Sequence, residues 1–353
     1  MSEGKPLVGV DIGATSIKVV QLKETRKGLS LFRMGYCALE PQTIVDRHVM
    51  NSQAVVDGLR RAFADAKIKQ REVALSVSGQ SVISRKITVP IMTTAELDEQ
   101  IQWEAENHIP FDIKDVNVDY EVLRRRADAG QMDLLLVAAK RDEINDYVQI
   151  AKQAKLKPMV VDIDAFTIQN LFEYNRGLAP DQTFAIINVG ATQASINVVS
   201  RGASAFTRDI TNGGNFFTEQ IVKQVGVPFE QAEDMKIQAS QPQSAGVLPP
   251  KVFQVIDSAC DTLAGEIQRS LDFFLATSGE ERISRIFLTG GTANLPQLVN
   301  AIERRSPVPA EVMQPLERIP IEKEIDQQAL APRASQLSVA LGLAMRKSKE
   351  KRA

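Results

Sequence analysis

The sequence predicts a duplicated α/β protein whose two halves present matching loops to one ligand. Three observations carry this. Gly-Ala-Thr stands between apolar runs at residues 13 to 15, in VGVDIGATSIKVVQL, and again at residues 190 to 192, in IINVGATQASINVV, about half the chain length later. Short apolar strands alternate with helices of 3.6-residue periodicity through both halves. A third glycine loop, in FLTGGTANLPQLV, closes a strand and opens a helix.

The elements follow in order. Leu7 to Val10, Ile17 to Leu22 and Leu29 to Cys37 read as a strand meander joined by glycine-containing turns. Val55, Val56, Leu59 and Phe63 are spaced for a helix over Gln53 to Ala66, and Val73 to Val77 is a further strand. From about Ser81 the texture changes: SVISRKITVP, a helix from Thr94 to His108 closed by Pro110, strands VNVDYEVLRR and MDLLLVAAK around a Gly130 turn, and a helix from Arg141 to Gln153. Residues 80–158 therefore read as an inserted subdomain. Strand Met159 to Asp162 and a helix to Tyr174 return to the first domain. The meander then repeats as FAIINVG, SINVVSRG and ASAFTRDI, followed by a helix over Phe216 to Val225. Residues 240–251, SQPQSAGVLPPK, read as a surface loop. A helix over Val252 to Ala276, the third glycine loop and a last helix over Ser335 to Arg346 complete the chain.

Bulk properties remove several function classes. With 353 residues and 44% hydrophobic composition the chain can bury large cores. A net charge of −2 and 5% aromatics give neither the field nor the stacking platforms of a nucleic-acid binder. Cys37 and Cys260 stand apart from each other and from His48 and His108, which fits a reducing cytosol and argues against zinc. There is no signal-peptide pattern and no apolar stretch of the roughly 18 to 20 residues a membrane span needs. A cytoplasmic protein that borrows any membrane residence from a partner is expected. Trp103, the one tryptophan, reads first as a core residue and second as a partner contact. Arg346, Lys347, Lys349, Lys351 and Arg352 read as a solvated basic tail, with contact to anionic lipid as the alternative.

The loops carry the chemistry. Gly13, Ala14, Thr15 and Ser16 offer backbone N–H groups and two hydroxyls to an anion, because glycine permits the close approach a phosphate nest needs. Asp11 sits at a strand end where a carboxylate holds Mg²⁺ through water, and Lys18 adds a point charge. Each loop alone is also an ordinary hairpin turn. Gly190, Ala191 and Thr192 repeat the first loop, so two nests could clamp one polyphosphate. Gly290 and Gly291 leave a side-chain-free floor for a flat base or ribose.

In this order the motifs resemble the actin-like ATPase superfamily: DIGATS its first phosphate loop, VVDIDAF its first connecting segment, NVGATQ its second phosphate loop, LTGGTANL its adenosine motif and LSVALGLAMR its second connecting helix. Within it, IQWEAENHIPFDIKDVNVDYEVL, VVDIDAFTIQNLFEYN, DITNGGNFFTEQI and EIQRSLDFF resemble the PilM family, FtsA-related cytoplasmic components of type IV pilus machines. The resemblance implies an actin-like fold with an FtsA-like 1C insertion at 80–158. It assigns subdomain 1A to 1–79, 159–180 and 335–353, subdomain 2A to 181–225 and 264–334, and subdomain 2B to 226–263.

It further implies ATP and Mg²⁺ as cofactors, with Asp11 on the metal, Gly13, Thr15, Ser16 and Lys18 around the β- and γ-phosphates, and Gly190 and Thr192 closing from the other side. Gly213, Gly214, Glu266, Arg269, Gly290, Gly291 and Thr292 would surround ribose and adenine; Glu266 and Arg269, three apart on a helix, also read as an exposed ion pair. Asp162 falls where relatives orient the attacking water, and equally where it could cap the following helix. Asn188 departs from the acidic residue that usually opens the second phosphate loop, which implies slow or negligible hydrolysis because an amide brings no charge to the metal.

The partner implied is the N-terminal cytoplasmic peptide of the inner-membrane protein PilN, in a groove between 1A and 1C. The pilus motor ATPases and PilO would be reached indirectly, self-association is possible within the family, and the membrane would be met only through PilN. A filament-forming division protein and a small-molecule kinase of the same superfamily are the other readings.

Overall fold

The computed structural model describes residues 3–179, 181–241 and 248–349. Residues 242–247 of the expected surface loop and Lys351 and Arg352 of the expected tail lie outside the described residues. In the first domain the elements are β1 (Glu3–Pro6), β2 (Val8–Ile12), β3 (Ser16–Thr25), β4 (Gly28–Ala38), the two-residue strands β5 (Ile44–Val45) and β6 (His48–Val49), α1 (Ser52–Asp65) and β7 (Glu72–Val77). The insertion brings β8 (Val82–Pro90), α2 (Thr94–His108), β9 (Val116–Arg126) and β10 (Gln131–Lys140), after which come α3 (Arg141–Gln153), β11 (Lys157–Ile163) and α4 (Asp164–Arg176). The second half runs β12 (Thr183–Val189), β13 (Ala194–Ser200), β14 (Ala203–Ile210), α5 (Gly214–Val225), α6 (Phe229–Ala239) and α7 (Pro250–Ser278). It closes with β15 (Ile286–Thr289), α8 (Pro296–Arg305), β16 (Ala310–Val312), α9 (Gln327–Leu330), α10 (Ser338–Ala344) and β17 (Lys347–Lys349).

The duplication is visible in the sheets. The first has the order β11-β7-β2-β3-β4 and the second β14-β13-β12-β15-β16. In each, an antiparallel meander (β2-β3-β4, β12-β13-β14) continues through its first strand into two parallel neighbours. The registers agree as well. Asp11 faces Lys18 and Ile12 faces Ile17 in the first hairpin; Asn188 faces Ser195 and Val189 faces Ala194 in the second. Gly13 N–H donates to Ser16 O at 3.0 Å, and Gly190 N–H to Gln193 O at 2.9 Å. Residue by residue, the two loops are the same turn.

Two helices cross between the halves. Every residue of α10 is buried, because the helix is wedged between β2 and α4. A Cβ at Gly9 would lie 2.0 Å from Ala340 O, and one at Gly342 2.0 Å from Thr167 O. Only glycine admits backbone approach this close on both faces. The apolar residues Val339, Leu341 and Leu343 of α10 share one cluster with Phe172 of α4 and with Phe184 and Phe287 of the second sheet.

The insertion has its own core. Ile87, Val89, Leu97, Ile101, Leu134 and Leu136 close it between the sheet β8-β10-β9 and α2. α3, expected within the insertion, instead buries Tyr147, Ile150 and Ala151 in the core of the first sheet. Two further expectations change. Trp103 is 63% exposed on α2, since Leu97, Ile101 and Ala105 form that helix's buried stripe. The basic end is no free tail up to Lys349: β17 pairs antiparallel with β1, Lys347 Nζ lies 2.8 Å from Glu24 Oε1, and Arg346 Nη1 lies 3.2 Å from Asp162 Oδ2. Because α10 docks over Gly9, the chain emerges beside β1, whose edge accepts it. The final helix begins at Ser338, three residues later than expected, after a 3₁₀ run over Ala331–Leu337.

Candidate functional site

The two matching loops face one another between the halves: a Cβ at Gly79, just after β7, would lie 3.0 Å from Arg47 Cδ and 3.5 Å from Gln193 Oε1 of the second loop, and the space between them is the cleft. On the first side, Asp11 Oδ2 accepts an ion pair from Lys18 Nζ at 3.1 Å, and both side chains are nearly buried. Burial raises the Asp11 carboxyl above the ordinary carboxylate range; Lys18 opposes this and Asp164 adds to it. Asp164 is the first residue of α4, where the helix dipole favours an anion. Ser78 Oγ donates to Asp164 Oδ2 at 2.7 Å.

Asp162, two residues earlier, is turned away. Its carboxylate lies under Arg346 and takes the N–H of Ile163 at 2.7 Å. The geometry therefore places Asp164, and not Asp162, beside Asp11. In VVDIDAF the two acids are one strand residue apart in side-chain alternation, and both fall on the same face until the helix begins. The helical turn at Asp164 is what separates their directions.

Three further charged residues converge here that sequence reasoning missed. Arg47 occupies the turn between β5 and β6, in which Asp46 (φ 47°) and Arg47 (φ 69°) are both left-handed. Such turns favour Asn-Gly, so a strained Asp-Arg pair is a signal of a side chain needed at that spot. Its Nη1 lies 3.8 Å from Asp164 Oδ2 and its Nε 3.7 Å from Glu143 Oε1 of α3, while Tyr147 O–H donates to Arg47 O at 3.3 Å. Burial alone would weaken the guanidinium's charge, but Asp164, Tyr147, Glu143 and Asp11 hold it above its ordinary range. The Tyr147 hydroxyl is pushed up to about 12, chiefly by burial. Asp209 on β14 reaches the same cluster from the second half; burial raises its carboxyl, with Ser195 and the Gly79 backbone opposing and Asp164 adding.

On the second side the loop is pinned from behind. Gly214 N–H donates to Gly190 O at 2.8 Å and Asn215 N–H to Ala191 O at 2.7 Å, which seats the N-terminus of α5 on the loop. A Cβ at Gly213 would lie 2.5 Å from Gln193 N, and one at Gly214 2.6 Å from Thr292 Oγ1. Gly213 and Gly214 thus supply bare backbone, their neighbourhood already hydrogen-bonded, and let the Thr192 backbone and the Thr292 hydroxyl come close. Lys236 of α6 is buried against this point, donating to Gly214 O at 3.0 Å and to Glu233 Oε2 at 2.6 Å. Burial lowers its pKa, and Glu233 counters. The pair Glu233 and Lys236, one helical turn apart, was missed because its spacing is that of any surface ion pair. Glu266 accepts from Asn212 Nδ2 at 3.0 Å, beside Gly213, whereas Arg269 is 73% exposed and 4.0 Å from Glu266. The strand end at Gly290 (φ 91°) lies against Asn188: its Cβ would be 2.6 Å from Asn188 Oδ1. Gly291 faces Gln336.

The donor set fits a magnesium ion held through water and phosphate. Three carboxylates, Asp11, Asp164 and Asp209, face two cations, Lys18 and Arg47, and the charge of Asp164 adds to the burial that raises Asp11 and Asp209, a repulsion that a divalent cation would relieve. Among the described residues no three His, Cys, Asp or Glu side chains stand close enough to chelate a metal themselves. No described helix is long and apolar enough to cross a membrane.

Two equivalent sheets, two equivalent hairpin loops facing one cleft, and a pair of crossing helices between them define the actin-like ATPase fold. The same fold is found in the ethanolamine utilization protein EutJ from Carboxydothermus hydrogenoformans (TM-score 0.59, 12% identity, 98% of this chain and 92% of that one) and in MreB5 of Spiroplasma citri bound to ADP (0.55, 13%, 96% and 94%). Residues 9–348 match the family described as type IV pilus assembly protein PilM, and the chain belongs to that family. It is also similar to the solved PilM-PilN type IV pilus biogenesis complex, with a TM-score of 0.86 at 25% identity over 99% of this chain and 100% of that one. The cell division protein FtsA of Staphylococcus epidermidis RP62A is 20% identical over 82% of this chain and 70% of its own length.

Proposed function

We propose that this protein is an ATP- and Mg²⁺-binding scaffold at the cytoplasmic face of the inner membrane, supporting type IV pilus assembly and twitching motility. It would receive the N-terminal peptide of PilN between the first domain and the insertion, and so link PilN and PilO to the pilus motors. The observation that carries this reading is the whole-chain likeness to the PilM-PilN complex. Exposed Trp103 on the insertion gives such a peptide an aromatic contact.

In this reading Asp11 and Asp164 hold the hydrated metal, Thr15, Ser16, Lys18 and Thr192 surround the phosphates, and Glu233, Lys236 and the Gly213-Gly214 backbone meet the nucleoside. When bound, Mg²⁺ would neutralise phosphate charge. Asn188 in place of an acid keeps hydrolysis slow, below the order of 1 per second of a working ATPase. The nucleotide then acts mainly as a clamp across the cleft. Arg47 ties that cleft to α3 through Glu143, and α3 adjoins the insertion, which gives the clamp a route to the peptide groove.

Co-purification tests the proposal. This chain should be retained by a PilN that carries its cytoplasmic N-terminal segment and lost when that segment is deleted; equal recovery with both would contradict it. A second expectation separates the two acids. Asp164→Asn should weaken Mg-ATP binding by about tenfold, the loss of one charge-assisted contact, and Asp162→Asn should leave it unchanged. Titration calorimetry on the two variants reads this directly, and a reversed order would return the site to Asp162.

A further inference from the structure

At the far end of the first sheet from the cleft, two connections share one pattern. α1 passes into β7 through Ala66-Lys67-Ile68-Lys69, and α3 passes into β11 through Ala154-Lys155-Leu156-Lys157. Both helices close alike. Lys67 N–H donates to Ala64 O at 2.9 Å and Ile68 N–H to Phe63 O at 3.0 Å; Lys155 N–H donates to Lys152 O and Leu156 N–H to Ala151 O, each at 2.9 Å. Lys67 (φ 54°) and Lys155 (φ 62°) therefore occupy the left-handed position that ends a helix, where glycine is the unstrained choice. This chain uses glycine at the ends of α5 and α7, as Gly226 (φ 78°) and Gly279 (φ 73°). Lysine at both positions sets two positive charges on neighbouring turns where glycine would be the unstrained choice.

Because β7 and β11 are parallel neighbours, the two turns stand side by side. Between them is a cavity of about 470 Å³. Phe63, Ile68 and Ala154 lie beneath it and are almost fully buried, Ala64 and the aliphatic stems give it apolar walls, and Arg60, Lys67, Lys69, Arg71 and Lys155 form its rim. No acid lines it. Arg60 spans the two helix ends by donating to Gln153 O at 2.8 Å and is partly offset by Asp57 at 3.3 Å; Arg71 lies 5.7 Å from the centre of the Phe63 ring. In a chain of net charge −2, five cations around one depression are a local concentration of positive charge.

We infer that this cavity docks an acidic segment of a partner protein, one apolar side chain lying against Ala64 and the aliphatic stems while carboxylates meet the rim. An anionic membrane would match the cations but has no use for a concave depression with apolar walls. The site is separate from the nucleotide cleft and from the insertion, so it stands without the function proposed above.

The test uses the full chain and a dye-labelled eight-residue peptide of alternating Glu and Asp around one central Phe, read by fluorescence anisotropy. The K67G/K155G variant keeps the left-handed turns, so its thermal midpoint should be equal to or above wild type. Its affinity for the peptide should fall about tenfold, as should that of wild type for the peptide with Ser in place of Phe. Unchanged affinity in either comparison overturns the inference. So does lysine-dependent co-sedimentation with phosphatidylglycerol–phosphatidylcholine vesicles that the peptide fails to compete, which would make the face a membrane contact.

Discussion

Gly342→Val is expected to destabilise the protein by about 3 kcal/mol or more, the upper range for forcing atoms into a packed core. The new Cβ would stand 2.0 Å from Thr167 O and 2.5 Å from Thr167 C, both backbone atoms that no rotamer change can move. The opposite face of the same helix has equally little room, with the Gly9 position 2.0 Å from Ala340 O. α10 cannot slide away from α4 without striking β2. Gly226→Ala supplies the comparison, since that glycine has a positive φ and nothing within 4 Å of its Cβ position. It should cost about 1 kcal/mol, from backbone conformation alone. Urea denaturation measures both, and equal losses would mean that the two crossing helices are not locked by close approach.

Asp11→Ala is expected to weaken Mg-ATP binding by about a hundredfold, because it removes a desolvated charge from a hydrogen-bonded cluster, a loss of about 2–3 kcal/mol. The pH dependence gives the same residue a second signature. Its folded pKa is raised, so its contribution to stability is fully present below the ordinary carboxylate range, about 4, and is lost as pH rises through the raised folded value. Mg²⁺ requires the ionised carboxylate. Stabilisation by Mg-ATP should therefore grow as pH rises above that range in wild type and stay flatter in Asp11→Ala, with thermal melting as the readout. An identical pH profile in the two proteins would contradict the proposed role of Asp11 in holding Mg²⁺.

The duplicated fold was legible because its signals are local. A hairpin loop needs glycine at fixed offsets from alternating apolar residues, and Gly13 and Gly190 are at the same point of the same register. The cleft's charged cluster was not legible, because Arg47, Asp164 and Asp209 come from a turn, a helix start and a strand that only tertiary folding brings together. Asp162 was the more visible acid, at a strand end; the first turn of α4 decides that Asp164 enters the cleft instead. The basic end misled for a similar reason. Lys347 and Lys349 are spaced like a solvated tail, and it is the docking of α10 over Gly9 that delivers them to β1. Trp103 is exposed because the apolar stripe of α2 is complete without it.

The central claim is that nucleotide and peptide bind one clamp. Its most direct test is titration calorimetry with a synthetic PilN N-terminal peptide, with and without Mg-ATP, on wild type and on Asp11→Ala. Saturable binding that Mg-ATP strengthens in wild type but not in Asp11→Ala is the predicted result. No peptide binding in either state, from a protein that still binds Mg-ATP, would contradict the account.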